Sequence, residues 1–232
     1  MRLGSPRVHL RRVDSTNARA RELAAAGAPD GTVVTAAEQT AGRGRQGRVW
    51  VAPAGRALLC SVVVRDPPRL LPLATGVAVA DTVGEVTGEE GRATVKWPND
   101  VWLDGRKVAG ILVEGRPQEG WAVIGIGLNV ALREQEFPPD LHDIATTLGL
   151  EPDAIESTLQ RLLVALERWI SAPSDAVLDA VRARDALLDR PVRWSAGSGR
   201  GGGIDGDGRL IVLTDGGRVE LDAGEVHLLR GA

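Results

Sequence analysis

Residues 42–49 read GRGRQGRV, so Arg43, Arg45 and Arg48 alternate with three glycines in one short run. A guanidinium fork binds carboxylate or phosphate bidentately, and glycine lets a backbone come close to a ligand. Three like charges so near one another repel until an anion joins them. The run therefore predicts an anion-binding loop that orders on its ligand. Two blander readings stand beside it: a solvated basic surface loop, or a nucleic-acid contact. The formal net charge of −3 and the lack of neighbouring lysines oppose the second. The run also fits G-x-G-x-x-G, but Trp50-Val51-Ala52-Pro53-Ala54-Gly55 follows where a dinucleotide site opens a helix. No HRD, DFG or GxxxxGK[ST] run accompanies it, which removes kinase and P-loop chemistry.

The chain has 26 arginines and two lysines, Lys96 and Lys107, and both lysines fall in VKWPNDVWLDGRKVAGILVEG (95–115). A composition that uses arginine wherever charge alone suffices makes a retained lysine informative, because a compact ammonium and a planar fork do different work. Strand alternation over 107–114 puts Lys107, Ala109, Ile111 and Val113 on one face, with Val108, Gly110, Leu112 and Glu114 on the other. Lys107 would then begin an apolar face and need an anionic partner; snorkelling to water is the alternative. In VIGIGLNV (123–130), Gly125, Gly127 and Asn129 share a face. Glycines at alternate positions leave either a slot for a flat ligand or room for bulges and tight packing.

These residues need a scaffold. Asp14-Ser15-Thr16 supplies cap oxygens for a helix over 17–26, closed by Gly27 and Pro29. Residues 32–38 and 57–64 read as strands flanking the polar loop 39–56, and 70–88 as a buried helix. Strands follow at 94–97, 101–103, 107–114 and 121–130, with Asp104-Gly105 as a hairpin turn. Ile155, Leu159, Leu162, Leu163, Leu166 and Ile170 recur at helical spacing, and a further helix is expected over 176–188. From Pro191 onward short strands and glycine turns suggest a small β-module. The single cysteine, Cys60 in ALLCSVVV, excludes an internal disulfide and reads as packing. The longest uncharged apolar stretch is too short to span a bilayer, and the N-terminus has no secretory pattern.

In order along the chain, DSTN (14–17), EQTAGRGRQGRVW (38–50), KWPND (96–100), RKVAGILVE (106–114) and GIGLNV (125–130) resemble the biotin–protein ligase family. GIDGDGRL and AGEVHLLR resemble its small C-terminal domain. The resemblance implies an α+β fold: a mixed β-sheet with flanking helices, of the class II synthetase type, plus an SH3-like β-module. The expected division is 1–188 and 189–232, with the Gly/Ser-rich WSAGSGRGGG making the second part look abridged. It implies that biotin and ATP, helped by Mg²⁺, form biotinyl-5′-AMP, and that biotin then passes to a lysine of the carboxyl-carrier domain of an acyl-CoA carboxylase. Ser15, Thr16, Asn17, Gln39, Arg43, Gly44, Arg45, Lys107, Gly110 and Gly127 would form the biotin site. Arg43, Arg45, Arg48, Trp50, Lys107 and Asn129 would face ATP. Lys107, Arg45 and Asp100 would carry the chemistry, with Asp100 orienting or deprotonating the incoming amine, while Trp97, Trp102 and the more tolerant Lys96 would not. No residue is assigned to the metal.

The implied protein is cytoplasmic, a monomer or weak homodimer, without DNA or membrane partners. The chain enters the first motif almost at once, leaving no room for the DNA-binding domain of some relatives. The competing readings are a lipoate or octanoyl transferase and a non-enzymatic basic-loop binding module.

Overall fold

Two strands are apolar without alternation, β3 (Ala57–Arg65) and β7 (Trp121–Asn129). Such strands are covered on both faces, and they pair antiparallel at the centre of a seven-stranded sheet. The computed structural model describes residues 2–89, 91–222 and 224–229. β1 (Arg7–Leu10) and β2 (Val33–Ala36) extend the sheet beyond β3; β6 (Arg106–Arg116), β5 (Asp100–Leu103) and β4 (Ala93–Lys96) extend it beyond β7. β1 and β2 run parallel and every other neighbour is antiparallel, so the sheet is mixed. Asp104 and Gly105 both have positive φ (52° and 75°), as the two-residue β5–β6 turn requires.

One face of the sheet is covered by α2 (Leu71–Thr87), itself buried beneath α3 (Ala154–Ile170) and α4 (Ser174–Arg182). Gly76 in α2 allows the close approach: a Cβ there would lie 3.2 Å from Val95. Asp81 ties the helices together by accepting from Trp169 Nε1 (2.8 Å) and Arg184 Nη2 (2.7 Å). The opposite face carries α1 (Thr16–Ala25), the segment that contributes Leu132, Phe137 and Ala145, and the arginine loop. Cys60 is buried within β3, where desolvation pushes its thiol up to about 12, in keeping with packing rather than chemistry.

Three expectations change. β1 is a strand that the polar sequence RVHL did not announce. α4 stops at Arg182 instead of 188, because the open edge of β4 competes for the chain: Val95 N donates to Arg184 O (2.8 Å) and Ala186 N to Val95 O (3.1 Å). The Gly/Ser-rich stretch is ordered as a strand. It is most of β9 (Gly197–Ile204), which joins β8 (Pro191–Trp194), β10 (Leu210–Thr214), β11 (Gly217–Leu221) and β12 (His227–Leu228) in an antiparallel sheet of order β11-β10-β9-β8-β12. Two of its glycines leave no room for a side chain: a Cβ at Gly199 would lie 2.4 Å from Leu213 O, and one at Gly201 2.0 Å from Leu187 O.

This second sheet is docked on the first part by Trp97 Nε1 donating to Gly208 O (3.0 Å) and Arg182 Nε donating to Ile204 O (2.9 Å). Among the described residues, no helix is long and apolar enough to cross a membrane. The packing at Gly201 predicts that Gly201→Ala lowers stability by about 1–3 kcal/mol in denaturant unfolding, an overpacking effect. Gly206→Ala, with no atom within 4 Å of the new methyl, should be close to neutral.

Candidate active site

Lys107 owes its position to a β-bulge. β5 and β6 pair Leu103 with Arg106 and Trp102 with Lys107, but then Val101 with Ala109, leaving Val108 as an extra residue. One inserted residue reverses the alternation, so Lys107 does not share the face of Ala109 and Ile111 as strict periodicity predicts. It shares the face of Gly110, whose Cβ would lie 3.3 Å from Lys107 Nζ. The bulge removes Lys107 from the β7 ladder, and the segment after β7 replaces those bonds. Lys107 N donates to Ile144 O (2.7 Å), and Thr146 N donates to Lys107 O (2.8 Å). Asn129 Nδ2 donates to Thr146 O (2.9 Å) and secures that segment. Asn129 is buried and does not line the cleft, in contrast to its expected place against ATP.

Asp100 begins β5, where Pro98 ends the preceding strand and turns the chain. Its carboxylate receives both lysines of the protein: Lys107 Nζ lies 2.6 Å from Oδ1, and Lys96 Nζ 3.6 Å from Oδ2. Lys96 was expected to stay apart, but its side chain is only 11% exposed and faces the same cleft. Burial, together with the charges of Lys107 and Arg48, pulls the Lys96 pKa below the ordinary lysine value, and Asp100 opposes the shift.

The far end of the cleft is a closed hydrogen-bond network at the start of α1. Gln39 Oε1 accepts from Thr16 N (2.7 Å) and Thr16 Oγ1 (3.0 Å). Ser61 Oγ lies 2.8 Å from Thr16 Oγ1 and donates to Asn17 Oδ1 (2.7 Å). Asn17 Nδ2 donates to Leu112 O (3.2 Å) and Glu114 Oε2 (2.8 Å), and Glu114 Oε1 accepts from Arg21 Nη1 (3.0 Å). Ser61 and Glu114 escaped the motif reading. The signal for Ser61 was a hydroxyl in an otherwise apolar strand, which must find polar partners when buried.

The glycine slot is filled by the protein itself. A Cβ at Gly127 would come within 2.5 Å of the Trp50 indole, one at Gly110 within 3.0 Å, and one at Gly125 within 2.2 Å of Asn17 Oδ1. The Trp50 ring lies over Gly127 and Gly110, and the Asn17 amide over Gly125. Trp50 Nε1 is buried without a partner among the described residues, and Lys107 Nζ stands 5.7 Å from the ring centroid.

The arginine loop folds over this floor as a small hairpin: Gly44 N donates to Arg48 O (2.8 Å) and Trp50 N to Gly42 O (3.0 Å), with Gln46 and Gly47 at positive φ. Arg45 Nη1 donates to Asn99 Oδ1 (3.3 Å). Arg48 pairs with Glu225, just before β12; Glu225 also lies 3.0 Å from His227 Nε2. Burial and the charges of Lys96, Arg48 and Arg193 hold the His227 pKa below the usual histidine value. Gly224, Glu225 and Val226 complete the cleft wall.

The cleft encloses about 880 Å³, its open mouth included, and is lined by Ser15, Thr16, Asn17, Gln39, the loop residues 43–46 and 48–50, Lys96, Asp100, Lys107, Gly110 and Gly127, among others. Of the residues expected in the site, only Asn129 is outside this lining. Five cations, Arg43, Arg45, Arg48, Lys96 and Lys107, face two carboxylates, Asp100 and Glu225. A cationic cleft in a protein of net charge −3 is arranged for anions. One end of it offers hydrogen bonds and the other positive charge. Among the described residues no group of three His, Cys, Asp or Glu side chains could hold a metal ion.

This arrangement has relatives. Residues 9–130 match the biotin/lipoate A/B protein ligase family, and residues 195–229 match the biotin protein ligase C-terminal domain. The chain is 39% identical to the biotin–[acetyl-CoA-carboxylase] ligase of Mycobacterium tuberculosis, over 93% of this chain and 86% of that protein. It is 41% identical to the bifunctional ligase/repressor BirA of Bacillus subtilis, over 59% of this chain but 44% of that protein's length. The biotin protein ligase of Aquifex aeolicus, solved in complex with biotin and ATP, superposes with a TM-score of 0.81 at 29% identity, covering 97% of this chain and 99% of the other. With its matched region reaching from the start of the sheet through β7, and a separate match over the second sheet, this chain belongs to the biotin/lipoate A/B protein ligase family.

Proposed function

We propose that the protein is a biotin–protein ligase, joining biotin to ATP to form biotinyl-5′-AMP and pyrophosphate, then passing biotin to a lysine of a carboxylase carrier domain. The observation that carries this reading is the pairing of Lys107 with Asp100 in a cleft whose opposite end is a fixed hydrogen-bonding network. A ureido ring suits the Ser15, Thr16 and Gln39 end. A carboxylate tail then runs toward Lys107 and Arg45. The C-terminal match to biotin protein ligases favours biotin over lipoate within the family.

In the first half-reaction a biotin carboxylate oxygen bonds to the α-phosphorus, and the bond to the pyrophosphate oxygen breaks. Two anions must meet, so cations have to offset their repulsion and the charge that develops. Lys107 and Arg45 do this, while Trp50 shields the reacting tail and stacks near the base. Arg43 and Arg48 complete the phosphate environment from the loop. In the second half-reaction a neutral amine attacks the acyl carbon, the bond to the phosphate oxygen breaks, and AMP leaves. Once a ligand phosphate draws Lys107 away, Asp100 is released to accept the proton of that amine.

Mg²⁺, implied by the use of ATP, finds no protein cage here; Asp100 and Glu225 are already paired with cations. Magnesium characteristically keeps its waters and substrate phosphates as ligands. The reading further carries a division at 1–188 and 189–232, a cytoplasmic setting, a monomer or weak homodimer, and no DNA or membrane partner. Incubation with biotin or lipoate, radiolabelled ATP and an apo carrier domain tests it: carrier labelling that requires biotin supports the reading, and labelling with lipoate alone sinks it.

Two outcomes follow for individual residues. Lys107→Ala should reduce biotinyl-AMP formation by about 10²–10³-fold with an unchanged circular dichroism spectrum, the scale of losing one charge-stabilising donor. Lys107→Arg should also be poor, because a planar fork does not reproduce a point charge; wild-type rates in either would remove Lys107 from the chemistry. Trypsin should cut the ligand-free protein after Arg43, Arg45 or Arg48, with protection rising from ATP alone to biotin to biotin plus ATP. Equal cleavage in all three states would reduce the loop to a surface feature.

A further inference from the structure

The hydrogen bonds at the closed end of the cleft have a fixed direction, and Glu114 helps to set it. Asn17, Ser61 and Thr16 are all buried. Leu112 O and the Glu114 carboxylate have no proton to give, so both accept from Asn17 Nδ2, at 3.2 Å and 2.8 Å, and use both of its protons. Asn17 Oδ1 is left to face Ser61 Oγ at 2.7 Å. An amide oxygen only accepts, so the single Ser61 proton lies between these two atoms. Ser61 then has only lone pairs for its 2.8 Å contact with Thr16 Oγ1. Thr16 Oγ1 thus lies between two acceptors, Ser61 Oγ and, at 3.0 Å, Gln39 Oε1, and its one proton is held by them. What Thr16 Oγ1 offers the cleft that it lines is a lone pair. Glu114 stands outside that lining, with its other oxygen paired to Arg21 Nη1 at 3.0 Å.

Resting on the ligase reading, we propose that Glu114 is a positioning residue for the cyclic urea of biotin. By fixing which way the Asn17 amide points, it makes Thr16 Oγ1 an acceptor toward the cleft and so selects a ring that brings an N–H to that point. A carboxylate can hold this direction because both of its oxygens accept, one from Arg21 and one from Asn17. An amide at the same position turns its oxygen to Arg21 and opposes its NH2 to that of Asn17. Leu112 O, at 3.2 Å, is then alone in holding the Asn17 amide. When that amide reverses, Ser61 receives a proton from it and passes its own to Thr16 Oγ1. The Thr16 proton is thereby released, and the site can meet a ring oxygen as well as a ring N–H.

The test measures kcat/KM for adenylation, by pyrophosphate release, with biotin and with the cyclic carbamates in which one or the other ring N–H is replaced by oxygen. Wild type should prefer biotin over at least one carbamate by about 10²-fold, because two opposed acceptors leave a buried contact unmade. Glu114→Gln should narrow that preference by about 10-fold, with the KM for ATP within about threefold of wild type. Ser61→Ala cuts the chain at its middle and should narrow the preference too, and the double variant should narrow it no further than the larger single effect. Ser61→Ala also carries the comparison if thermal melting shows Glu114→Gln unfolded. A wild type without preference, a preference that both variants keep, or a loss in equal proportion for biotin and both carbamates overturns the assignment. The last outcome would make Glu114 and Ser61 supports of α1 only. A wild-type protein that releases pyrophosphate with none of the three compounds would instead reject the ligase reading itself.

Discussion

Two lysines meet one carboxylate at the centre of this protein, and much of the surrounding structure serves to hold them there. Lys96 and Lys107 come from different strands, and Asp100 lies between them at the start of a third. Bringing two ammoniums together in a partly desolvated cleft is unfavourable unless an anion joins them. In the ligand-free protein Asp100 is that anion. The bulge at Val108 turns Lys107 into the cleft, the segment at 144–146 satisfies its backbone, and Pro98 ends β4 so that Asp100 can face back. Under the proposed ligase reading, a substrate phosphate would replace the carboxylate as the partner of Lys107 and free Asp100 to act as a base, which couples binding to proton acceptance.

The C-terminal sheet takes part in the same balance. Glu225 neutralises Arg48 and contacts His227, and Val226 closes the wall. The strand that carries the glycine-rich sequence is packed so closely on Leu187 and Leu213 that only glycine fits at positions 199 and 201. The small sheet is therefore seated at the edge of the cleft by main-chain contact, and one wall of the cleft depends on that seating.

Much of this was legible in the sequence, and the exceptions have physical causes. The arginine–glycine loop, KWPND and the GIGLN strand were found because they combine residue types that a merely packed segment does not need. The direction of Lys107 was misread because alternation assumes a regular ladder and gives no warning of an extra residue such as Val108. Asn129, which the resemblance places against ATP, is buried in the ligand-free protein, where its Nδ2 donates to Thr146 O, a contact that sequence spacing does not announce. Of the two readings of the alternating glycines, a ligand slot or close packing, the ligand-free protein displays close packing, with the Trp50 indole over Gly127 and Gly110. The length of α4 was overestimated because propensity is local, and the open edge of β4 that recruits 184–186 is not. Lys96 was set aside for lying on another strand, although the chain turns back at Pro98 and returns Asp100 to it.

The exchange at Asp100 is most directly tested by single-turnover transfer of biotin from preformed biotinyl-AMP to an apo carrier domain, comparing wild type with Asp100→Asn across pH. If Asp100 accepts the proton of the incoming amine, the variant should still bind biotinyl-AMP but transfer at least about 10²-fold more slowly near neutral pH, with the deficit shrinking as rising pH deprotonates the amine in solution. Transfer at the wild-type rate, or a deficit that is the same at every pH, would contradict the account and leave Asp100 as a counter-ion for the two lysines only.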